Sequence, residues 1–150
     1  MNILFLCATN AVLSPMAEAL LKRIDSENFQ VVSAGFEHLN PHGHTASLLN
    51  EMDLHLKDWS PRLLSSVVGQ NFDMVITLGD RAPSMLPFFP NVEHAHWRFD
   101  DPSTLMVDQH KNKLLAIRDQ IAQRIRLLVL VHMRATKQAR EGSPPLTRVS

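Results

Sequence analysis

The sequence has little of several features that mark other classes of protein. Its 150 residues include one cysteine, which excludes an internal disulfide and a structural zinc site built from several cysteines. Fifteen basic and fifteen acidic residues cancel, so the composition does not favour a nucleic-acid or a membrane partner. No apolar run approaches the roughly 20 residues that a membrane span needs. The 45% of hydrophobic residues is instead typical of a soluble globular domain.

Short apolar runs alternate with helical patterns, and this alternation predicts an α/β fold with a parallel sheet and right-handed crossovers. A continuous apolar run predicts a buried strand at residues 2–7. Three further strands are predicted at residues 29–34, at residues 73–78, where the strand is again buried, and at residues 92–97, where it is short. Apolar residues at helical spacing predict helices at residues 14–24, 41–52, 61–68 and 111–134. The polar residues 135–150 contain glycine and proline and predict a flexible tail, which leaves a single domain over residues 1–134.

Cys7 ends the first predicted strand, and a short loop then leads to a helix start. Ser14 as the cap and Pro15 as the first helical residue predict where that helix begins. Ligands of parallel sheets bind beyond the carboxyl ends of the strands, where loop amides and a helix N-terminus attract an anion. The same surroundings favour the thiolate form of a cysteine. We therefore expect Cys7 to attack a tetrahedral oxyanion such as a phosphoryl group, with Ser14 donating a hydrogen bond to the sulfur.

The leaving group of such a reaction needs a proton, and Asp101 is the natural general acid. Pro102 restricts the backbone of Asp101 to extended shapes, which helps to aim the carboxyl group over the cleft. Asp101 follows the fourth predicted strand, so we expect it at the same edge of the sheet as Cys7. Asp100 competes for this role on sequence alone.

The sequence predicts no metal and no cofactor. His38, His42 and His44 lie in a loop with glycine and proline, and no carboxylate stands at a recognisable ligand spacing from them. Residues 1–6 are apolar but short and have no positive flank, so they predict a strand rather than a signal peptide. The free thiol and the absence of such a signal predict a cytoplasmic location.

Residues 3–18, ILFLCATNAVLSPMAE, resemble the first strand, the phosphate loop and the first helix of the low-molecular-weight protein tyrosine phosphatases. The loop of that family has the form C-x5-R-S. The further segments that match, in the family's order, are residues 32–35, 72–80, 96–97 with 101–102, and 118–121. The segment around residues 96–102 is similar to the general-acid loop in the style of the family's arsenate reductases. The resemblance covers about residues 1–134.

This resemblance implies a four-stranded parallel sheet with helices on both faces and a phospho-cysteine intermediate at Cys7. It implies that Asp101 acts first as the acid and then as the base. Asn10 matches a loop asparagine that holds the shape of the loop. The loop residues expected to surround the anion are Ala8, Thr9, Asn10, Ala11, Val12 and Leu13.

Leu13 stands where the resembled family has an arginine. That arginine grips two oxyanion oxygens through charge-assisted hydrogen bonds worth roughly 1.5–3 kcal/mol each. Its loss is expected to slow turnover by roughly 10²–10⁴-fold, whereas the loop amides and the helix dipole can still bind an anion weakly. Arg81, after the third predicted strand, and Arg98, before the acid loop, are the candidates for a compensating cation.

Two further differences from the resembled family narrow the range of reactions that the chain could catalyse. Arsenate reductases that cycle through an internal disulfide need additional cysteines, so that route is excluded here, while reduction by an external thiol at Cys7 stays open. The chain also has no tyrosine, and Ser103 and Thr104 stand where many tyrosine phosphatases carry an aromatic pair after Asp-Pro. Phosphotyrosine is therefore disfavoured as the substrate.

Three hypotheses for the function remain at this stage. The first is a slow phosphomonoesterase or oxyanion-processing enzyme that uses Cys7 and Asp101. The second is a catalytically inactive phosphatase-fold module that binds an oxyanion such as phosphate, or a protein partner, and Leu13 motivates it. The third is an unrelated flavodoxin-like protein whose loop binds the phosphate of a cofactor.

Overall fold

A parallel sheet of four strands forms the centre of the computed structural model, which describes residues 1–37, 45–57, 59–80, 88–100 and 107–142. The strands are β1 (Asn2–Cys7), β2 (Gln30–Gly35), β3 (Met74–Gly79) and β4 (Glu93–Arg98), in the spatial order β2-β1-β3-β4. The helices are α1 (Leu13–Ile24), α2 (Thr45–Glu51) and α3 (Val107–Gly142), and a 3₁₀ turn lies at Leu64–Ser66. The predicted single-domain, four-stranded parallel fold is confirmed.

Strand β1 lies at the centre of the sheet and is buried almost throughout, because it pairs with β2 on one side and with β3 on the other. Its side chains alternate between the two faces. Ile3, Phe5 and Cys7 pack into the core with the helices, whereas Leu4 and Leu6 pack against the turn residue Leu64 and Phe89 on the opposite face. The alternation therefore places the Cys7 side chain on the face that α1 covers.

Helix α1 begins at Leu13 rather than at Pro15, the predicted first helical residue, and the residue at its N-cap is Val12, which makes no side-chain cap bond. The predicted cap at Ser14 is therefore wrong. The hydroxyl of Ser14 is instead in contact with the sulfur of Cys7 and the side-chain amide of Asn10. The Ser14 side chain therefore contacts residues of the loop instead of capping the helix.

The predicted helix at residues 61–68 is also wrong, because only Leu64–Ser66 form a helical turn there. Leu63 is extended and forms a parallel bridge with Gly35, and Gly35 N donates to the carbonyl oxygen of Arg62 over 2.9 Å. This pairing with the end of β2 uses backbone groups that a helix would need for itself. The segment thereby reaches the loop after β1.

Helix α3 extends past the predicted end at Arg134 to Gly142, so residues 135–142, which were expected in the tail, are helical. Alanine, lysine, glutamine and arginine dominate this stretch and favour helix. Residues 143–150 of the predicted tail lie outside the described residues. Within the described residues, no helix combines the length and the hydrophobicity that a bilayer span requires.

Candidate active site

The loop between β1 and α1 brings the sulfur of Cys7 against the start of the helix. The Sγ atom lies 2.9 Å from Ser14 Oγ, and the backbone N–H of Ser14 donates to it over 3.4 Å. Cys7 is 5% exposed. The sulfur therefore lies at the N-terminus of a helix, next to one backbone N–H and one hydroxyl group. The contact expected between Ser14 and Cys7 is present, and its geometry allows either atom to be the donor.

Asn10 connects the loop to the strands around it. Its backbone is left-handed, with φ of 55°, and its side chain is fully buried. Nδ2 donates to Ser14 Oγ over 2.9 Å and to Ser33 Oγ over 3.0 Å, while Oδ1 accepts from the backbone N–H of Arg62 over 3.0 Å. One side chain therefore fixes the loop to α1, to β2 and to the segment before the 3₁₀ turn.

Glu18 and Arg62 support this arrangement, and the sequence reasoning missed both. The side chain of Glu18 is 1% exposed and accepts from Ser33 N over 2.8 Å. It also pairs with Lys22 at 3.0 Å and with Arg62 at 3.4 Å, and the latter guanidinium donates to the carbonyl oxygen of Ser33 over 3.3 Å. A buried carboxylate needs such partners. Glu18 lies next to Ala17 and Leu21, which belong to the apolar stripe of α1 that faces the core. This position in the helical pattern could have predicted that the Glu18 carboxylate is buried.

Gly35 lies where the loop crosses the end of β2. Phe36 N donates to the carbonyl oxygen of Cys7 over 3.2 Å, and Glu37 N donates to that of Ala8 over 2.8 Å. The segment after β2 therefore runs alongside the loop after β1. A Cβ at Gly35 would lie 2.7 Å from the carbonyl carbon of Thr9, 2.8 Å from Asn10 N and 3.1 Å from Ala8 O. These three atoms all belong to the backbone, so a side chain at Gly35 must displace the loop.

The variant Gly35→Ala is expected to lower the free energy of unfolding by about 1–3 kcal/mol, because overpacking against the backbone forces the loop to move. Urea denaturation measures this loss. The matched control is Gly69→Ala, since a Cβ at Gly69 meets nothing within 4 Å. Equal stability of the two variants would show that the loop does not pass as close to β2 as the structure indicates.

Leu13 occupies the loop position of the family arginine and is 5% exposed. It is the first residue of α1 and packs in the same core cluster as Cys7. At this position the loop therefore presents an apolar group and no hydrogen-bond donor from the side chain.

The other predicted site residues are placed less favourably or not described. Asp101 and Arg81 lie outside the described residues, as do the three histidines at residues 38–44. Asp100 is exposed just beyond β4. Among the residues that the structure describes, no group of three or more His, Cys, Asp and Glu side chains could hold a metal ion.

Arg98 is exposed and ends β4, two strands away from β1, which is a separation of about 10 Å at the usual strand spacing. Trp97 packs in the core with Cys7, so alternation places Arg98 on the opposite face of the sheet. The register therefore argues against Arg98 as the compensating cation.

The profile of the family described as low molecular weight phosphotyrosine protein phosphatase matches residues 2–141 of the chain. The chain belongs to this family. Among its relatives, an arsenate reductase of Bacillus cereus (strain AH187) is 31% identical over 126 residues, which cover 83% of this chain and 91% of the relative. Arsenate reductase 1 of Staphylococcus haemolyticus is 32% identical over 125 residues, with the same coverage.

The fold of this phosphatase-family chain also matches solved structures. An arsenate reductase in the phosphate-binding state superposes with a TM-score of 0.72 at 20% identity, covering 86% of this chain and 96% of the other. At this identity the match shows the fold alone. Within the family loop C-x5-R-S, the chain keeps the cysteine and the serine in contact and departs at Leu13.

Proposed function

We propose that this protein is a slow phosphomonoesterase or oxyanion-processing enzyme that uses the Cys7 thiolate as its nucleophile. The observation that carries the proposal is the contact of Cys7 Sγ with both the hydroxyl and the N–H of Ser14, at 2.9 and 3.4 Å. Membership of the phosphatase family supports the same chemistry. The relatives named arsenate reductase favour phosphate or arsenate as the anion.

In the first step the thiolate attacks phosphorus, an S–P bond forms, and the bond to the leaving oxygen breaks. Asp101 gives its proton to that oxygen. In the second step Asp101 takes a proton from water, the water oxygen attacks phosphorus, and the S–P bond breaks to regenerate the thiolate. Ser14 supports the second step, because its hydroxyl and N–H stabilise the negative charge that returns to sulfur. The reaction needs a free thiol at Cys7, so we expect the protein to work in a reducing compartment such as the cytoplasm.

With arsenate, the same attack forms an S–As bond, and one oxygen of arsenate leaves as water after it takes the proton of Asp101. An external thiolate can then attack the Cys7 sulfur, which forms a mixed disulfide and releases arsenite, as the electron pair of the S–As bond stays on arsenic. A second external thiol restores Cys7 by exchange. The single cysteine of the chain makes the external thiol obligatory.

The rate of hydrolysis of para-nitrophenyl phosphate by the native protein and by Cys7→Ser tests the proposal. Serine keeps the shape of the residue but is a far weaker nucleophile, so we expect the rate to fall at least about tenfold, to the uncatalysed background. The melting shift produced by phosphate serves as the control that the loop still folds in the variant. Equal rates for the two proteins would rule out an enzyme that uses Cys7 as its nucleophile.

A second candidate is a catalytically inactive module that binds an oxyanion or a protein partner, and the burial of Leu13 in the arginine position favours it. This candidate predicts a higher melting temperature in phosphate, arsenate or sulfate without any turnover. If millimolar oxyanions leave the melting temperature unchanged, anion binding is ruled out and only contact with a protein remains.

A further inference from the structure

Arg62 is held at several points beside the loop between β1 and α1. Its backbone N–H donates to Asn10 Oδ1 over 3.0 Å, and its carbonyl oxygen accepts from Gly35 N over 2.9 Å. Its guanidinium donates to the carbonyl oxygen of Ser33 over 3.3 Å and lies 3.4 Å from the Glu18 carboxylate. The main chain and the side chain of this one residue therefore connect the loop with both α1 and β2.

The Arg62 guanidinium and the Glu18 carboxylate act together on Ser33. Strand β2 is the outermost strand on its side of the sheet, so its backbone groups that face away from β1 need partners elsewhere. The N–H of Ser33 donates to the Glu18 carboxylate over 2.8 Å, and its carbonyl oxygen accepts from Arg62. The Glu18 side chain is 1% exposed, and a buried carboxylate is stable only when it is paired. The ion pair therefore fixes Ser33, whose Oγ accepts from Asn10 Nδ2.

The N–H of Arg62 determines which way the side-chain amide of Asn10 is turned. A backbone N–H only donates, so the Asn10 atom that faces it must be the oxygen. The amide nitrogen then faces the two serines, and donates to Ser14 Oγ over 2.9 Å and to Ser33 Oγ over 3.0 Å. An amide turned by half a rotation would instead present its oxygen to Ser14 and attract the hydroxyl proton.

This orientation decides where the single proton of the Ser14 hydroxyl goes. Ser14 Oγ accepts from Asn10, so its own proton is left for another acceptor. The acceptors in reach are Cys7 Sγ at 2.9 Å and the carbonyl oxygen of Ala34 at 3.4 Å. A thiolate only accepts, and a charged acceptor attracts the proton more strongly than a neutral carbonyl does. The hydroxyl therefore donates to a charged sulfur as long as Asn10 keeps its present orientation.

We propose that Arg62 is a positioning residue for the chemistry at Cys7, an inference that rests on the proposed function. Its ion pair with Glu18 anchors the residue, and its N–H orients Asn10. Asn10 in turn leaves the Ser14 proton for the sulfur. A misdirected hydroxyl slows the cleavage of the S–P bond, which returns negative charge to the sulfur, more than it weakens the binding of phosphate by the loop amides.

Alkylation of Cys7 by iodoacetamide tests the inference without any turnover, and it reports on one thiol because the chain has one cysteine. The rate at neutral pH is compared for the native protein, Arg62→Ala, Ser14→Ala and the double variant. We expect Arg62→Ala to react roughly three- to tenfold more slowly, since the reactive thiolate loses a charge-assisted hydrogen bond. Because Arg62 acts through Ser14, adding Arg62→Ala to Ser14→Ala should change the rate by less than about twofold.

Arg118→Ala is the matched control for the loss of an arginine. Arg118 also pairs with a carboxylate, that of Asp119, and donates to a backbone carbonyl oxygen, that of Met52. Its side chain is 28% exposed, against 33% for Arg62, and its loss should leave the alkylation rate at the native value. Arg62→Lys keeps a cation for Glu18 and should react at a rate between those of Arg62→Ala and the native protein. Circular dichroism verifies the fold of each variant, and Arg62→Lys takes the place of Arg62→Ala in the comparison if the alanine variant does not fold.

Alkylation of Arg62→Ala at the native rate or faster would overturn the inference. An equal loss with and without the Ser14 hydroxyl would also overturn it, because Arg62 would then act on the loop as a whole. If para-nitrophenyl phosphate is hydrolysed, kcat should fall roughly three- to tenfold in Arg62→Ala while KM changes by less than about twofold. A higher KM at an unchanged kcat would assign Arg62 to anion binding instead. If Cys7→Ser shows that the protein is not an enzyme, the alkylation rates still decide whether Arg62 positions Ser14.

Discussion

Replacing Leu13 with arginine is expected to raise the rate of aryl phosphate hydrolysis by at least about tenfold, and by up to about 10⁴-fold if both hydrogen bonds of the guanidinium form. Arginine presents a planar pair of donors that matches two oxygens of the anion. It also stabilises the charge that develops on those oxygens in the transition state. The measurement is kcat/KM for para-nitrophenyl phosphate.

The burial of Leu13 means that the substitution by arginine also lowers the stability of the fold, which the sequence alone does not reveal. Leu13 packs in the core cluster with Cys7, so an arginine there must leave an apolar space behind and turn its charge toward the loop. Without an anion, Leu13→Arg is therefore expected to lower the free energy of unfolding by about 2–4 kcal/mol. Phosphate should recover much of this loss, because an anion that binds the folded state alone stabilises it.

The matched control is Leu13→Met, which keeps the size and the apolar character of the side chain and should leave the rate unchanged. A second control is the double variant Leu13→Arg/Cys7→Ser, which should stay at background because the guanidinium has no nucleophile to assist. A folded Leu13→Arg protein that binds phosphate but gains no activity would contradict the proposed arrangement of the loop.

The sequence predicted β1 and β3 well because these two strands are buried almost throughout and therefore read as apolar runs. Residues 2–7 match β1, and the other three predicted strands are each displaced by one residue from β2, β3 and β4. The pair formed by Cys7 and Ser14 was also predictable, since both residues lie within one strand–loop–helix unit. For these strands and for this pair, the local sequence pattern was sufficient.

Contacts between distant segments were not predictable in this way. Glu18 and Arg62 are 44 positions apart, and nothing local in the sequence marks them as a pair. The same holds for Gly35, whose missing side chain matters only because the loop backbone passes within 3 Å of its Cβ position. The predicted cap at Ser14 failed for a different, local reason, because the nearby sulfur of Cys7 and the side-chain amide of Asn10 engage the hydroxyl instead.

Asn10→Ala is expected to be the most destabilising substitution considered for the loop, with a loss of about 3–5 kcal/mol in the free energy of unfolding. The change removes hydrogen bonds to Ser14, Ser33 and the N–H of Arg62, and each buried group left unpaired costs about 1–3 kcal/mol. The left-handed backbone at φ of 55° adds about 1–2 kcal/mol for a residue with a Cβ and no local hydrogen bond. Urea denaturation at equilibrium measures the total.

Asn10→Gly separates the two contributions, because glycine loses the same hydrogen bonds but adopts the left-handed backbone without penalty. It should therefore be more stable than Asn10→Ala by about 1 kcal/mol and still far less stable than the native protein. Asn50→Ala, on the exposed surface of α2, is the control for a surface asparagine and should change the stability by less than about 0.5 kcal/mol. A loss at Asn10 no larger than the loss at Asn50 would mean that the buried hydrogen bonds do not hold the loop, and the anion site at Cys7 would lose its structural basis.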